Sequence, residues 1–141
     1  MTVEIVEAHA ARTEQPHNFD QAAEAFLAPL LAHGSRYVFI NPGTDTFPLQ
    51  EAWAKATQLG RPAPRPIMCL HEHTAVSAAH GYFLATGEPQ TVIVHVDAGT
   101  INAGGALHNA QRGQAGMLFC AGRAPYTWDG ELPGGKDLPI H

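Results

Sequence analysis

The sequence predicts an α/β fold in which a parallel sheet is flanked by helices on both faces. Short apolar runs occur at residues 37–40, 67–70, 91–96 and 116–121, and segments with apolar residues at helical spacing lie between them. Nothing between successive runs resembles a β-hairpin turn. Strands that alternate with helices in this way are typical of doubly wound parallel sheets.

The first predicted helix precedes the first strand. Asn18 or Asp20 can cap it, and apolar residues recur at helical spacing through residue 31. Pro29 predicts a kink or an early end, and His33-Gly34 predicts the helix stop. After the first strand we expect a tight turn at residues 41–45 and a second helix at residues 47–58.

The third predicted helix begins directly after the strand at residues 67–70, with Glu72 in its first turn. An acid is favourable there because unpaired N–H groups point outward from a helix N-terminus. The small or apolar side chains that follow form one helix face, consisting of Ala75, Ala78, Ala79, Tyr82 and Phe83. Beyond the strand at 91–96 we expect a loop at residues 97–100 and a helix of small residues at 102–111.

Length and composition indicate one globular domain. The chain has 141 residues, of which 45% are hydrophobic and 15% charged, enough for a single core. Residues 1–18 show no clear period and are interpreted as a tail or an extra edge segment. Residues 19–141 then form the domain, whose C-terminal part looks incomplete because no clear element follows residue 122.

Several functional classes are disfavoured. The net charge of −5 gives no basic surface for nucleic acid, and no apolar run reaches the roughly 18 residues of a membrane span. The N-terminus lacks the pattern of a secretory signal. Cys69 and Cys120 each fall in a predicted buried strand, which favours reduced thiols over a disulfide. A cytoplasmic protein is therefore expected.

Polar residues follow three of the predicted strands. Residues 41–44 read Asn-Pro-Gly-Thr, residues 71–73 read His-Glu-His, and His95 is followed by Asp-Ala-Gly-Thr-Ile-Asn at 97–102. Ligands of open α/β sheets bind outside the carboxyl ends of the strands, so these segments predict a site. Taken alone, each has a simpler explanation: a common turn, an acid that complements the helix dipole, and a half-buried strand histidine.

A metal centre and a nucleophilic enzyme are weaker hypotheses. The chain has nine histidines, but His71, His73 and His80 lack the i, i+4 spacing of helical zinc ligands, so no metal ligand is assigned. The Gly-x-Ser-x-Gly elbow of serine hydrolases is absent, and both cysteines lie in apolar segments.

The order of these segments resembles the pyrimidine-binding domain of thiamine-diphosphate-dependent enzymes. The resemblance covers residues 19–125 and is nearest to the acetolactate synthase and benzoylformate decarboxylase branch. The matching pieces are residues 37–43 ending in Asn-Pro-Gly, His71-Glu72 heading a helix that continues to Ala79-His80-Gly81-Tyr82, Gly99-Thr100-Ile101-Asn102, and Cys120-Ala121-Gly122.

The resemblance implies catalytic roles for Glu72 and His95. In this family the glutamate hydrogen-bonds a ring nitrogen of the aminopyrimidine and promotes the tautomer that deprotonates the thiazolium carbon. His95 matches a histidine that transfers protons in benzoylformate decarboxylase-like members. The implied cofactor-binding positions are Pro42, Gly43, Glu72, Gly99 and Asn102, and the implied substrate positions are Thr44 and His71.

The resemblance also implies a second half of the site. Family enzymes bind the diphosphate through Mg²⁺ on a separate domain with a Gly-Asp-Gly…Asn motif, which this sequence lacks. We therefore expect part of a thiamine-diphosphate enzyme that decarboxylates a 2-oxo acid, as decarboxylase or carboligase, and that is inactive as this isolated chain. The diphosphate domain would lie in the rest of the chain or in a partner subunit.

Pyrimidine domains of the family pair into a dimer or tetramer, which is expected here. Two alternatives remain open at the level of sequence. One is a non-catalytic dimerisation or binding module of the same fold. The other is a His-rich metal-binding protein.

Overall fold

The computed structural model of the chain describes residues 19–123. The strands are β1 (Tyr37–Ile40), β2 (Arg65–Met68), β3 (Gln90–Val94) and β4 (Met117–Ala121). The helices are α1 (Ala22–Ala32), α2 (Phe47–Gln58), α3 (Glu72–Thr86) and α4 (Val96–Arg112), with a short 3-10 helix at Thr44–Thr46. The strands form a parallel sheet in the order β2-β1-β3-β4. The tail predicted at residues 1–18 and the segment 124–141 lie outside the described residues.

The core is divided between the two faces of the sheet. On β1, Val38 and Ile40 pack with residues of α1 and α2, whereas Phe39 packs with residues of α3 and α4. On β3, Ile93 belongs to the first group and Val92 to the second. Successive side chains of a strand point to opposite faces, so helices cover both sides. The predicted fold class, a parallel sheet flanked by helices on both faces, is confirmed.

Helices α3 and α4 approach the sheet through small side chains. Ala75 and Ala79 of α3 and Ala103 of α4 are 0% exposed. The α3 face predicted from the sequence is thus buried at Ala75 and Ala79 and partly buried at Ala78, and Val76 joins it with 0% exposure. Because alanine side chains are short, the backbone of each helix lies close to the strands, and so do the first residues of both helices.

The predicted start of α4 is wrong. Residues 97–100 were expected to form a loop, but β3 ends at Val94 and α4 begins at Val96. Gly99 donates its backbone N–H to the carbonyl of His95 at 2.7 Å, which is a helical bond. His95 is therefore the residue that precedes the helix rather than a strand residue, and Gly99 lies in the first turn.

The second strand is shifted from its prediction. β2 covers Arg65–Met68 rather than residues 67–70, so Cys69 and Leu70 follow it. Pro66 lies inside this strand although it has no N–H to donate. The sheet order explains this tolerance, because among residues 19–123 β2 lies at the edge of the sheet and pairs with β1 alone.

Helix α1 continues past Pro29, so the proline does not cause an early end. The helix continues to Ala32, and His33 donates its N–H to the carbonyl of Pro29 at 2.9 Å. The stop comes at Gly34, whose φ of +89° lies in the left-handed region that glycine adopts without strain.

Both cysteines are free thiols, and burial raises the pKa of each. Cys69 is buried just after β2, and Cys120 is half-buried on β4. A thiol with a raised pKa is less often the reactive thiolate at neutral pH, which fits packing residues better than nucleophiles.

We predict that Ala79→Leu destabilises the fold by about 1–3 kcal/mol, because the larger side chain must force α3 away from the sheet. Ala85→Leu is the matched control, since Ala85 lies on the exposed face of the same helix. Urea unfolding of both variants checks this. Equal stability of the two variants would contradict the close packing described here.

Candidate functional site

Hydrogen bonds join the carboxyl ends of three strands. Asn41 follows β1, and its Nδ2 donates to the carbonyl of Cys69 at 2.9 Å. The backbone N–H of Asn41 donates to the carbonyl of Ile93 on β3 at 3.1 Å. Cys69 donates its own N–H to the carbonyl of Ile40 at 2.8 Å. These bonds fix the relative positions of the segments that leave β1, β2 and β3.

Glu72 is the first residue of α3 and is buried at this edge, with 7% of its surface exposed. Nδ2 of Asn102 on α4 donates to its Oε2 at 3.1 Å. Within residues 19–123 Oε1 has no hydrogen-bond partner, and it is not among the fully buried unpartnered atoms. A Cβ at Gly99 would lie 3.2 Å from Oε1. The carboxyl group therefore has one oxygen held and one oxygen accessible, with glycine leaving space beside it.

His71 precedes α3 and caps its N-terminus. Its Nδ1 accepts a hydrogen bond from the backbone N–H of His73 at 3.1 Å. The same Nδ1 lies 3.9 Å from Oε2 of Glu72. Since Nδ1 uses its lone pair on His73, it carries no proton in this geometry, and the contact with Glu72 is not an ion pair. His71 thus fixes the start of the helix that carries Glu72.

His95 is paired with an acid from the segment after β1. Its Nδ1 lies 2.6 Å from Oδ1 of Asp45, which belongs to the 3-10 helix. The Asp45 side chain is 6% exposed and the His95 side chain 34% exposed. β1 and β3 are neighbours in the sheet, so the segments that follow them meet at this edge.

Two glycines make room for this pair. A Cβ at Gly43 would overlap the imidazole ring of His95, and a Cβ at Gly122 would overlap the carboxylate of Asp45. Gly43 has an extended backbone with φ of −134°, so the space, rather than the conformation, is what requires glycine there. The pair is held between the chain after β1 and the chain after β4.

The predicted site residues fall into two adjoining groups. Glu72, Asn102, Gly99 and His71 form one group, and His95 with Gly43 forms the other. Gly99 and His95 are joined by the first helical hydrogen bond of α4, so the groups are one turn apart.

Two predicted site residues, Pro42 and Thr44, belong to neither group. Pro42 is half-buried between Asn41 and Gly43. Thr44 is exposed at the start of the 3-10 helix, and in the described part of the chain its side chain makes no hydrogen bond to either group.

Asp45 is the residue that the sequence analysis missed. It was placed in the turn after β1 but given no role. The sequence shows an acid after β1 and a histidine after β3, and these two residues can pair only if the two strands are neighbours. That they are neighbours is known only from the sheet order.

The described residues give no support to a metal centre or a membrane span. Between residues 19 and 123, no group of three or more His, Cys, Asp and Glu side chains could hold a metal ion. Nε2 of His80, considered above as a ligand, is fully buried and lacks a partner in that part of the chain. None of the helices there is both long enough and apolar enough to cross a membrane.

Comparison with known proteins identifies the family. Residues 20–137 match the family described as thiamine pyrophosphate enzyme, N-terminal TPP binding domain. The chain belongs to this family. The resemblance drawn from the order of the sequence motifs is thereby confirmed, including its branch.

Two relatives illustrate that branch. The chain is 36% identical over 94 residues to benzoylformate decarboxylase of Pseudomonas aeruginosa, covering 67% of this chain and 16% of that protein. It is 33% identical over 100 residues to a Mycobacterium tuberculosis protein provisionally named an acetolactate synthase large subunit, covering 71% of this chain and 18% of that protein. The chain therefore spans less than a fifth of the length of these relatives.

Solved structures agree with the fold. A protein from Mycobacterium smegmatis, provisionally named a thiamin diphosphate-dependent enzyme, matches with a TM-score of 0.58 and 30% identity over 72% of this chain and 18% of its own. Benzoylformate decarboxylase from Polynucleobacter necessarius matches with a TM-score of 0.59 and 24% identity over 76% of this chain and 19% of its own. The second likeness concerns the fold alone.

We predict that Gly43→Ala costs about 1–3 kcal/mol of stability, because the new methyl group must displace the His95 ring. Gly104→Ala on α4 is the control, since a Cβ there meets nothing within 4 Å. Alanine in a helix interior should stabilise by up to about 1 kcal/mol. Thermal and urea unfolding measure both changes, and a Gly43→Ala variant as stable as Gly104→Ala would refute the tight packing of His95.

Proposed function

We propose that this chain supplies the pyrimidine side of a thiamine-diphosphate active site that decarboxylates a 2-oxo acid. Membership of the thiamine pyrophosphate enzyme family supports the cofactor, and the identities to a benzoylformate decarboxylase and an acetolactate-synthase-like protein support the substrate class. The chain would serve either a decarboxylase or a carboligase of this kind.

The observation that carries the proposal is the environment of Glu72. A carboxyl group that binds one ring nitrogen needs one oxygen free and the other fixed. Asn102 holds Oε2, while Oε1 has no partner within residues 19–123 and faces the space left by Gly99. Burial strengthens a hydrogen bond from this carboxyl to a heterocycle, because little water competes for it. These residues fit an aminopyrimidine.

The residues of this chain then have distinct tasks. Thiamine diphosphate, when bound, would supply the nucleophilic carbon and take up the electron pair released with carbon dioxide. Glu72 would share a proton with the pyrimidine ring nitrogen, Asn102 would orient the carboxyl, and Gly99 would admit the ring. His95 would move protons to and from the substrate as a general acid and base.

The remaining predicted positions line the same edge. Pro42 and Gly43 would contact the cofactor through the backbone of the segment after β1. Thr44 is exposed and so can present its hydroxyl to a substrate carboxylate, and His71, with 56% of its side chain exposed, can do the same with its ring.

Assembly with a second domain is part of the proposal. Leu70 is 95% exposed directly before His71, and Ile101 is 76% exposed directly before Asn102. Large apolar side chains beside a polar site suit a covering partner better than water. We assign that role to a diphosphate-binding domain that holds Mg²⁺, in the same polypeptide or in a partner subunit, within a dimer or tetramer. The isolated chain would be inactive, and the free thiols agree with a cytoplasmic location.

The central test is Glu72→Gln in the complete protein, assayed with 2-oxo acids and saturating cofactor. The amide keeps the shape but cannot share a proton with the ring, so turnover should fall at least roughly 100-fold. Glu51→Gln, an exposed change on α2 with the same loss of charge, should retain activity. A Glu72→Gln protein that stays folded and fully active would favour a non-catalytic module instead.

A further inference from the structure

We propose that Asp45 is a positioning residue that holds His95 in one tautomer and leaves its Nε2 as the nitrogen that meets the substrate. The effect of Asp45 on turnover rests on the proposed function. The tautomer itself is a property of this chain and can be measured without cofactor.

The pairing geometry determines where the proton lies. Oδ1 of Asp45 and Nδ1 of His95 are 2.6 Å apart, which is short for an N–H···O hydrogen bond and typical of one to a charged acceptor. An ionised carboxylate can only accept, so the hydrogen must be on Nδ1. In a neutral imidazole the lone pair is then on Nε2.

The carboxylate is itself held in place. Its Oδ2 accepts the backbone N–H of Val96 at 3.4 Å, and Val96 is the first residue of α4. The N-terminus of a helix is a favourable position for a carboxylate, and the Asp45 side chain, 6% exposed, lies there. The two oxygens of Asp45 therefore have different partners, His95 on one side and the helix start on the other.

The backbone conformation of Val96 also indicates that the Asp45–His95 pair is held in a fixed arrangement. Its φ is +38°, an outlier for a β-branched residue, and such a conformation is strained. Strain of this kind persists only where the surroundings impose it. Here the conformation directs the Val96 N–H to Asp45 directly after His95, so backbone and side chain of the pair are fixed together.

The ring of His95 has little freedom to rotate away. Gly43 lies against the imidazole and Gly122 lies against the carboxylate, each closely enough that a methyl group would overlap. Nε2 has no hydrogen-bond partner in residues 19–123, and a third of the side chain (34%) is exposed. Nε2 is thus the ring nitrogen that a ligand at the sheet edge can reach.

The decisive variant is Asp45→Asn. The Val96 N–H requires an oxygen at the Oδ2 position, so the amide group must turn its NH₂ toward His95. Nδ1 must then accept, and the proton moves to Nε2. The substitution therefore reverses the tautomer with almost no change in shape.

The experiment is ¹⁵N NMR of the imidazoles in the complete protein without cofactor, at a pH where they are neutral, with the His95 signals assigned from a His95→Gln sample. We expect the Nδ1–H form in the wild type and the Nε2–H form in Asp45→Asn. Asp97→Asn removes an acid from the exposed start of the same helix and should leave the tautomer unchanged. An Nε2–H form in the wild type, or an unchanged tautomer in a folded Asp45→Asn chain, overturns the proposal.

Turnover in the complete protein separates this inference from the proposed function. With His95 as proton relay, Asp45→Asn should lower kcat by about 10²–10⁴-fold, with a smaller change in KM. Reversal of the tautomer without loss of kcat would leave Asp45 as the positioning residue of His95 and remove His95 from the reaction. Loss of activity in Glu72→Gln would then still support the cofactor role of Glu72.

Discussion

The small side chains between the sheet and helices α3 and α4 are the constraint on which the site depends. Ala75, Ala79 and Ala103 are completely buried, and Gly99 lies so close to Val94 that a Cβ would be 3.0 Å from its Cβ. Helix α3 begins a few residues after β2, and α4 begins two residues after the end of β3, so close packing along their length brings their first turns together at this edge of the sheet. The contact between Glu72 and Asn102 is a consequence, since it joins one helix start to the other.

Glu72 at this edge is only partly hydrogen-bonded, unlike the buried Gln90 at the opposite edge of the sheet. There, Gln90 is completely buried, accepts the N–H of Tyr37 at 2.8 Å and donates to the carbonyl of Pro89 at 2.9 Å. At the carboxyl edge, Glu72 is buried with a single hydrogen bond from Asn102 among the described residues. An edge with a carboxyl group that has only one of its oxygens hydrogen-bonded, next to a strained Val96, is less stable than it could be, which is common where a ligand completes the bonding.

Local patterns in the sequence predicted some elements and failed for others, for identifiable reasons. Residues 47–58 and 37–40 were predicted with the bounds observed for α2 and β1, because the apolar pattern of each is local. The start of α4 was not predicted correctly, since its glycine and polar residues resemble a loop. At that start Asp45, from a distant segment, accepts the N–H of Val96, a contact that the local sequence does not reveal. The start of β2 was also misplaced by two residues, and the edge position that lets this strand include Pro66 follows from the sheet order of the described residues.

The site likewise contains residues that the sequence indicated and one residue that it did not. Glu72, Asn102, Gly99 and His95 were selected through the resemblance to the family, and the structure brings them to one edge. Asp45 was not selected, because its contact with His95 spans 50 positions and depends on β1 lying beside β3. Periodicity identifies which residues face the sheet, but it does not order the strands. Pairings across adjacent strand ends therefore need the three-dimensional structure.

The most direct test of this account is a crystal structure of the complete protein with thiamine diphosphate bound. We predict that Oε1 of Glu72 lies about 2.5–3.0 Å from a ring nitrogen of the aminopyrimidine, with Oε2 still bound to Asn102. A pyrimidine ring bound elsewhere, or a Glu72 carboxyl turned away to bind only protein groups, would contradict it.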